Sequence, residues 1–93
     1  MTIETDHSFP PGATLEEELE ARGMTFRQLA AQLGRTPRFV GELIRGKRPL
    51  TAEVALELER TLPGGPSARF WLNLEVGHRL RVAQQRRANR QTA

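Results

Sequence analysis

Apolar residues recur at intervals of three and four along most of the chain, and this spacing predicts amphipathic α-helices. The first four apolar stripes are Leu15 and Leu19; Leu29, Ala30 and Leu33; Phe39, Val40, Leu43 and Ile44; and Val54, Ala55, Leu58 and Leu62. A fifth stripe includes Phe70, Trp71 and Leu74. Since no alternating strand pattern accompanies them, the sequence predicts an all-α protein built as a five-helix bundle.

Capping residues and glycines mark the ends of these helices. Four threonines stand where N-caps are expected: Thr14, Thr25, Thr36 and Thr51. Glu17 and Gln28 follow the first two threonines by three residues and complete two predicted capping boxes. Glycines are expected to end the first three helices: Gly23, Gly34 and Gly46. Pro37 occupies the first position of the third helix, where proline is favoured.

The 93 residues are enough for one domain, flanked by two segments of different character. Residues 1–12 lack helical periodicity and contain Pro10, Pro11 and Gly12, so a flexible arm is expected there. Residues 13–83 are predicted to form the domain. Residues 84–93 are polar and basic, and a frayed tail is expected.

Basic residues are concentrated in two places, although the formal net charge is only +3. Five of the fourteen lie between Arg35 and Arg48, where Glu42 is the only acid, and five more follow Gly77, where no acid occurs. Such segregation gives one surface a positive potential and favours a polyanionic partner. Charge alone leaves equally open that these side chains are simply solvated.

Several classes of protein are disfavoured by the sequence. The chain has no cysteine, which excludes disulfides and thiolate metal sites. It lacks the run of about 18 apolar residues needed for a membrane span, and Glu4 and Asp6 make its start unlike a signal peptide. A cytoplasmic protein is therefore expected. No metal-ligand spacing, phosphate-binding glycine loop or nucleophile elbow is found, so neither catalysis nor a cofactor is predicted.

Two short helices joined by Gly34 and Arg35 form the most informative unit of the sequence. Residues 25–46 (TFRQLAAQLGRTPRFVGELIRG) strongly resemble the XRE (Cro/CI-type) helix-turn-helix family, which implies a lambda-repressor-like bundle. Residues 46–51 (GKRPLT), 55–59 (ALELE) and 70–75 (FWLNLE) extend the resemblance to the HigA antitoxins of that family. The similarity covers roughly Gly12 to Leu80.

This resemblance implies a homodimer that binds double-stranded operator DNA, represses its own operon and neutralises a HigB-type mRNA-cleaving toxin. Two departures stand out. The family's opening His-Pro-Gly-Glu is replaced by PPGA at residues 10–13, and Phe26 stands where glutamine often contacts a phosphate. Two alternatives remain open: a stand-alone XRE-type regulator, and a DNA-binding module that works with a metallopeptidase-like stress regulator. The neighbouring gene would distinguish them.

Candidate DNA contacts follow from the same resemblance. The candidates for base reading are Arg38, Glu42, Arg35 and Thr36, and those for backbone contact are Arg27, Gln28, Arg45, Lys47 and Arg48. Arginine can donate two hydrogen bonds to guanine O6 and N7, so Arg38 is a candidate for base contact; a phosphate contact or a solvated side chain is the equally weighted alternative. Glu42 either accepts from cytosine N4 or, as we favour, holds Arg38 one turn away. Thr36 serves at least as readily as a cap alone.

The last predicted helix is the candidate dimerisation element, because it carries apolar residues on more than one side. The interface candidates are Trp71, Leu72, Leu74, Val76 and Leu80. Phe70 and Trp71 are expected in the core or at this interface rather than at a ligand.

Overall fold

The computed structural model describes residues 10–92 and contains five α-helices joined by short loops. The helices are α1 (Pro11–Arg22), α2 (Phe26–Leu33), α3 (Pro37–Ile44), α4 (Ala52–Thr61) and α5 (Ala68–Thr92). No strand occurs in this part of the chain, and the predicted all-α, five-helix bundle is confirmed. None of the helices between residues 10 and 92 is long and apolar enough to cross a membrane.

Three of the four predicted threonine caps are confirmed. At α2 the Gln28 amide donates to Thr25 Oγ1 over 3.0 Å, and the Thr25 amide donates to Gln28 Oε1 over 2.8 Å, which completes a capping box. Thr36 Oγ1 accepts from the Phe39 amide at 3.1 Å, and Thr51 caps α4 in the same way. Each cap satisfies an amide that has no partner within its helix.

The start of α1 differs from the prediction. The helix begins at Pro11, inside the expected arm, and Thr14 is an internal helical residue rather than an N-cap. Pro10 is the N-cap residue and supplies no side-chain hydrogen bond. A proline at the first helical position is tolerated because that amide needs no helical partner. Residues 1–9 of the predicted arm lie outside the described residues.

Gly12 lies where the first turn of α1 contacts α3. It is buried against the C-terminal end of α3, and a Cβ at this position would stand 1.9 Å from the carbonyl oxygen of Ile44. Real non-bonded atoms do not approach so closely, so only glycine fits without movement of the backbone. The first turn of α1 therefore rests directly on the main chain of α3.

The C-terminal boundary also differs from the prediction. α5 continues as one helix of 25 residues to Thr92, so residues 84–92, where a frayed tail is expected from the sequence, are helical. Alanine, glutamine and arginine are good helix formers, and neither glycine nor proline occurs after Gly77 to interrupt the helix. Ala93 lies outside the described residues.

The core is continuous through all five helices and fixes the orientation of α3. Its fully buried large side chains are Trp71, Leu15, Leu29, Leu58, Leu62 and Val40. α3 packs on α1 and α2 through Phe39, Val40 and Leu43, while α5 packs on α4 and α1. Phe70, predicted to share the apolar face of α5, is 46% exposed, because the adjacent Trp71 occupies the inward position. With its apolar side buried, α3 presents its opposite side to solvent.

Candidate nucleic-acid interface

The outward side of α3 carries polar and charged residues. Arg38, Glu42 and Arg45 follow one another at intervals of four and three residues, which places them on one side of the helix. The Arg38 side chain is 85% exposed, the highest value among the ion-paired residues of this region. α3 therefore offers a cationic surface at its solvent side.

Glu42 holds two arginines at once. The Arg38 Nε donates to Glu42 Oε2 over 3.0 Å, and the Arg48 Nε and Nη2 donate to Glu42 Oε1 over 3.2 and 2.8 Å. Both carboxylate oxygens are thus engaged, one by a residue of α3 and one by a residue of the following turn. We call Arg38, Glu42 and Arg48 the arginine clamp.

Protonation of Glu42 would dismantle the clamp, because both arginines bind its carboxylate. The hydrogen bonds from Arg48 and then Arg38 lower the pKa of Glu42 below its ordinary value. The carboxylate therefore remains ionised at neutral pH and through moderate acidification. The contribution of the clamp is lost only as pH falls through this depressed pKa.

The Phe39 ring makes cation–π contacts with two arginines. The guanidinium carbon of Arg35 lies 4.5 Å from the ring centroid, and that of Arg48 lies 4.6 Å from it. Cations at such distances are attracted by the ring's quadrupole. Since the ring is almost wholly buried, these contacts place both exposed side chains against the edge of the core. Together with Gly34, Thr36 and the arginine clamp, these residues line one shallow groove at the start of α3.

The connection between α2 and α3 is a tight turn. Gly34 ends α2 in the left-handed conformation, at φ 69°, and Thr36 caps α3 two residues later. A non-glycine residue is disfavoured at this φ, so Gly34 sets the angle at which α3 leaves α2. Two helices joined in this way, the second with a cationic outer side, have the geometry of a DNA-reading unit.

Comparison with known proteins agrees with this geometry. The model of the family described as helix-turn-helix matches residues 15–67, which include all of α2, α3 and α4. The chain belongs to the helix-turn-helix family. It is of the XRE type, and the family's characteristic partner is DNA.

Curated relatives match most of the chain. Virulence-associated protein I of Dichelobacter nodosus is 37% identical over 81% of this chain and 68% of its own length. An uncharacterised helix-turn-helix-type transcriptional regulator of Escherichia coli strain K12, YddM, is 31% identical over 81% of this chain and 78% of its own length.

Two solved structures share the fold. A protein of Nostoc punctiforme, assigned as an antidote of a plasmid maintenance system, superposes with a TM-score of 0.81 at 28% identity and covers 90% of both chains. An addiction module antidote protein of a HigA family from Coxiella burnetii superposes with a TM-score of 0.77 at 31% identity and covers 89% of both chains.

The structure brings together most of the sequence-predicted contacts of the helix-turn-helix unit. Arg35, Thr36, Arg38, Glu42 and Arg48 lie around the start of α3. The Thr36 hydroxyl is engaged as a cap, and the Gln28 amide oxygen belongs to the α2 capping box. Arg27, Arg45 and Lys47 are exposed.

Gly41 faces outward but is buried, because the Arg45 side chain covers it. A Cβ at Gly41 would stand 3.3 Å from Arg45 Nη1, which is the far end of a flexible side chain. This mid-helix glycine therefore has a packing contact with the Arg45 side chain.

The candidate dimer residues separate into two groups. Trp71 is completely buried and Leu74 is only 8% exposed, so both belong to the core of the protomer and offer a second copy little or no surface. Val76 and Leu80 are 63% and 55% exposed, and Leu72 is half-buried. These three follow at intervals of four residues and form one outer stripe of α5.

Sequence reasoning missed the contacts that cross the turn after α3. The spacing of Arg38 and Glu42 indicated their pairing, but Arg48 reaches Glu42 only because the chain reverses at Gly46, whose φ is 73°. α5 also touches this turn, where Arg79 Nη2 donates to the Gly46 carbonyl over 3.4 Å. No local pattern indicated that contact.

Proposed function

We propose that this helix-turn-helix protein is a sequence-specific repressor that binds operator DNA with α3 in the major groove. The arginine clamp carries this proposal: an exposed guanidinium, oriented by a carboxylate, projects from the N-terminal half of α3. That half of a recognition helix is the one that approaches base edges. Because Arg38 bonds to Glu42 through Nε and its side chain is 85% exposed, its Nη groups can donate to guanine O6 and N7.

The other residues have supporting roles. Arg35 and Thr36 lie beside Arg38 and are secondary candidates for base reading. Backbone contacts are proposed for Arg27, Gln28, Arg45, Lys47 and Arg48. Contacts to phosphates fix register and make affinity depend on salt, but they carry no direct sequence information. Since both oxygens of Glu42 are occupied by arginines, we assign it a positioning role rather than an acceptor role at cytosine.

Replacing Glu42 by glutamine is expected to reduce discrimination between the preferred site and a site altered at its guanines by about tenfold, given the usual worth of a bidentate arginine contact. The neutral amide cannot hold both guanidiniums as the carboxylate does. Competition binding with the two duplexes measures this ratio. Because the pKa of Glu42 is lowered, the wild-type ratio should stay constant under mild acidification. A glutamine variant with wild-type discrimination would argue against the positioning role.

We further propose that the protein acts in the cytoplasm as a homodimer joined through the outer stripe of α5. A dimer places two recognition helices in successive major grooves about 34 Å apart, on a roughly palindromic site. Leu72, Val76 and Leu80 give this stripe an exposed apolar surface, and such surfaces mark association sites more often than isolated apolar residues do.

Replacing Val76 and Leu80 together by aspartate is expected to convert the dimer to a monomer, because two charges would be placed in an apolar interface. Sedimentation equilibrium measures the change in mass. The control is Leu56→Asp on α4, since Leu56 is 59% exposed and outside the stripe. Equal association of wild type and double variant would exclude this interface.

The experiment that tests DNA binding is a mobility shift with the duplex upstream of the protein's own gene. We expect retention of that duplex in the presence of excess shuffled duplex. Failure to bind any upstream fragment at low salt would contradict the proposal.

An antitoxin role is proposed because the two solved structures that share the fold are assigned as antidote proteins. On this proposal the chain represses its own operon and neutralises a HigB-type ribonuclease. Expression of the adjacent gene alone should be toxic, and its product should co-purify with this chain. If the product of the adjacent gene is not toxic, a stand-alone regulator is favoured. The similarity to the transcriptional regulator of Escherichia coli supports the same alternative. A neighbour encoding His-Glu-x-x-His would favour a metallopeptidase-associated module.

A further inference from the structure

The distal part of α5 is a basic helix whose residues from Ala83 to Arg90 are all exposed. At 1.5 Å per residue the whole of α5 is about 37 Å long, comparable with the longest dimension of the molecule, 45 Å. The proximal part supplies Trp71 and Leu74 to the core. The core therefore accounts for the first half of α5 but leaves the arginine-rich second half without a role.

Arg79 marks where α5 meets the DNA-reading unit. Its Nη2 donates to the Gly46 carbonyl over 3.4 Å, while its Nε donates to Glu75 over 2.6 Å. The Gly46 carbonyl belongs to the turn that also carries Arg45 and Lys47. One face of α5 is thus anchored beside residues to which backbone contacts are assigned.

Further along α5, the same face of the helix carries more arginines. Arg86 and Arg90 follow Arg79 by seven and eleven residues, so all three lie within a narrow angular range of the helix. They are displaced from Arg79 along the helix axis by about 10 and 16 Å. Arg86, Arg87 and Arg90 line one surface concavity with Ala83. No acidic residue follows Glu75 in the sequence to neutralise them.

We infer that this arginine face, defined by Arg86, Arg87 and Arg90, binds phosphates of the DNA duplex that flanks the segment read by α3. The inference rests on the proposed function. Duplex DNA carries one charge per about 1.7 Å of its axis, so guanidiniums that continue along α5 from the turn can contact more than one phosphate. Arginine binds phosphate through paired N–H donors.

A protein partner fits this face less well. Protein interfaces have an apolar centre within a polar rim. The exposed residues that line the concavity are Ala83, Arg86, Arg87 and Arg90, and none of them is a large apolar side chain. Because the arginine face offers charge without apolar area, it is better suited to the phosphates of DNA than to a protein surface.

The test uses the full chain with Arg86, Arg87 and Arg90 all replaced by glutamine. The control variant replaces Arg60, Arg69 and Arg81 by glutamine, which removes the same charge, and Arg81 lies on the opposite side of α5. Both sets substitute one good helix former for another, and circular dichroism checks that helicity is kept. Fluorescence anisotropy with the bound upstream duplex gives affinity at several salt concentrations.

For a dimer on the duplex, the slope of log affinity against log salt should become shallower by about 5 in the test variant, since three phosphate contacts are lost from each protomer and each contributes about 0.9. The control should keep the wild-type slope, and base preference should be unchanged in both. Shortening the duplex at its flanks should weaken the wild type but not the test variant. An unchanged slope, or weaker binding explained by loss of the dimer in sedimentation, would overturn the inference.

The two proposals fail differently. If wild type binds no upstream duplex, the proposed function is wrong. If wild type binds specifically and the test variant keeps its slope, only the role of the arginine face is wrong. If the variant keeps its slope but no longer co-purifies with a protein that wild type retains, the face belongs to a protein partner and the inference is overturned.

Discussion

Replacing Gly12 by alanine is expected to destabilise the fold strongly, because the added methyl group meets the backbone of α3. The new Cβ would stand 1.9 Å from the Ile44 carbonyl oxygen and 2.5 Å from its carbonyl carbon. Both are backbone atoms, so no rotamer change relieves the clash, and α1 must move away from α3. Overpacking a well-filled site costs about 1–3 kcal/mol and occasionally more, and we expect a loss of about 3 kcal/mol or more in the free energy of unfolding.

Urea unfolding followed by Trp71 fluorescence measures this loss, since Trp71 is the only tryptophan and is fully buried. Gly41→Ala is the matched control, because it is also a glycine within a helix. There the nearest atom is the mobile end of Arg45, at 3.3 Å. Alanine gains about 1 kcal/mol of helix propensity over glycine, so the control should be neutral or slightly stabilised. Equal stability of the two variants would contradict the description of the α1–α3 contact.

Replacing Arg38 and Lys47 together by alanine is expected to weaken binding of the specific duplex by about 100-fold at moderate salt, because a bidentate contact of arginine with guanine is worth about 1–3 kcal/mol. Loss of one phosphate contact adds a salt-dependent decrease. Both side chains are exposed, so folding should be unaffected. Anisotropy titration with the upstream duplex gives the ratio of affinities.

The charge-matched control is the double variant Arg60→Ala, Arg69→Ala, which removes two exposed cations outside the α3 region. It should lower affinity only slightly, through the general electrostatic potential. If the two double variants weaken binding equally, α3 and its following turn do not form the DNA-binding site.

The helices could be predicted from the sequence where their signals are local. Thr25 with Gln28, and Thr36 with Pro37, specify helix starts through interactions within three residues. The start of α1 could not be predicted in this way. A pair of prolines followed by glycine is a typical loop signal, whereas here Gly12 is required by a contact with Ile44, which is distant in sequence.

The site was predictable to the same extent. Arg38 and Glu42 are four residues apart on one helix, so their pairing follows from periodicity. The link from Arg48 to Glu42 depends on the path of the chain through Gly46, and the placement of two arginines over Phe39 depends on how that ring packs. Both are properties of the folded chain.

For α5 too, the sequence pattern could not predict the contacts made in the folded chain. Its apolar residues occupy more than one side, and periodicity could not say which side the core covers. The structure assigns Trp71 and Leu74 to the core and leaves Val76 and Leu80 outside. Helix propensity correctly favours the distal segment as helix, whereas its polar composition had suggested a tail.

Selection of bound duplexes from a random library tests most directly whether α3 reads DNA sequence. We expect wild type to enrich two inverted half-sites, centred one helical turn apart, each with a guanine that Arg38 contacts. Arg38→Ala should enrich the same motif with that guanine relaxed, while the arginine-face variant should enrich it unchanged. Recovery of unenriched sequences by wild type, or of an identical guanine preference by Arg38→Ala, would contradict this account.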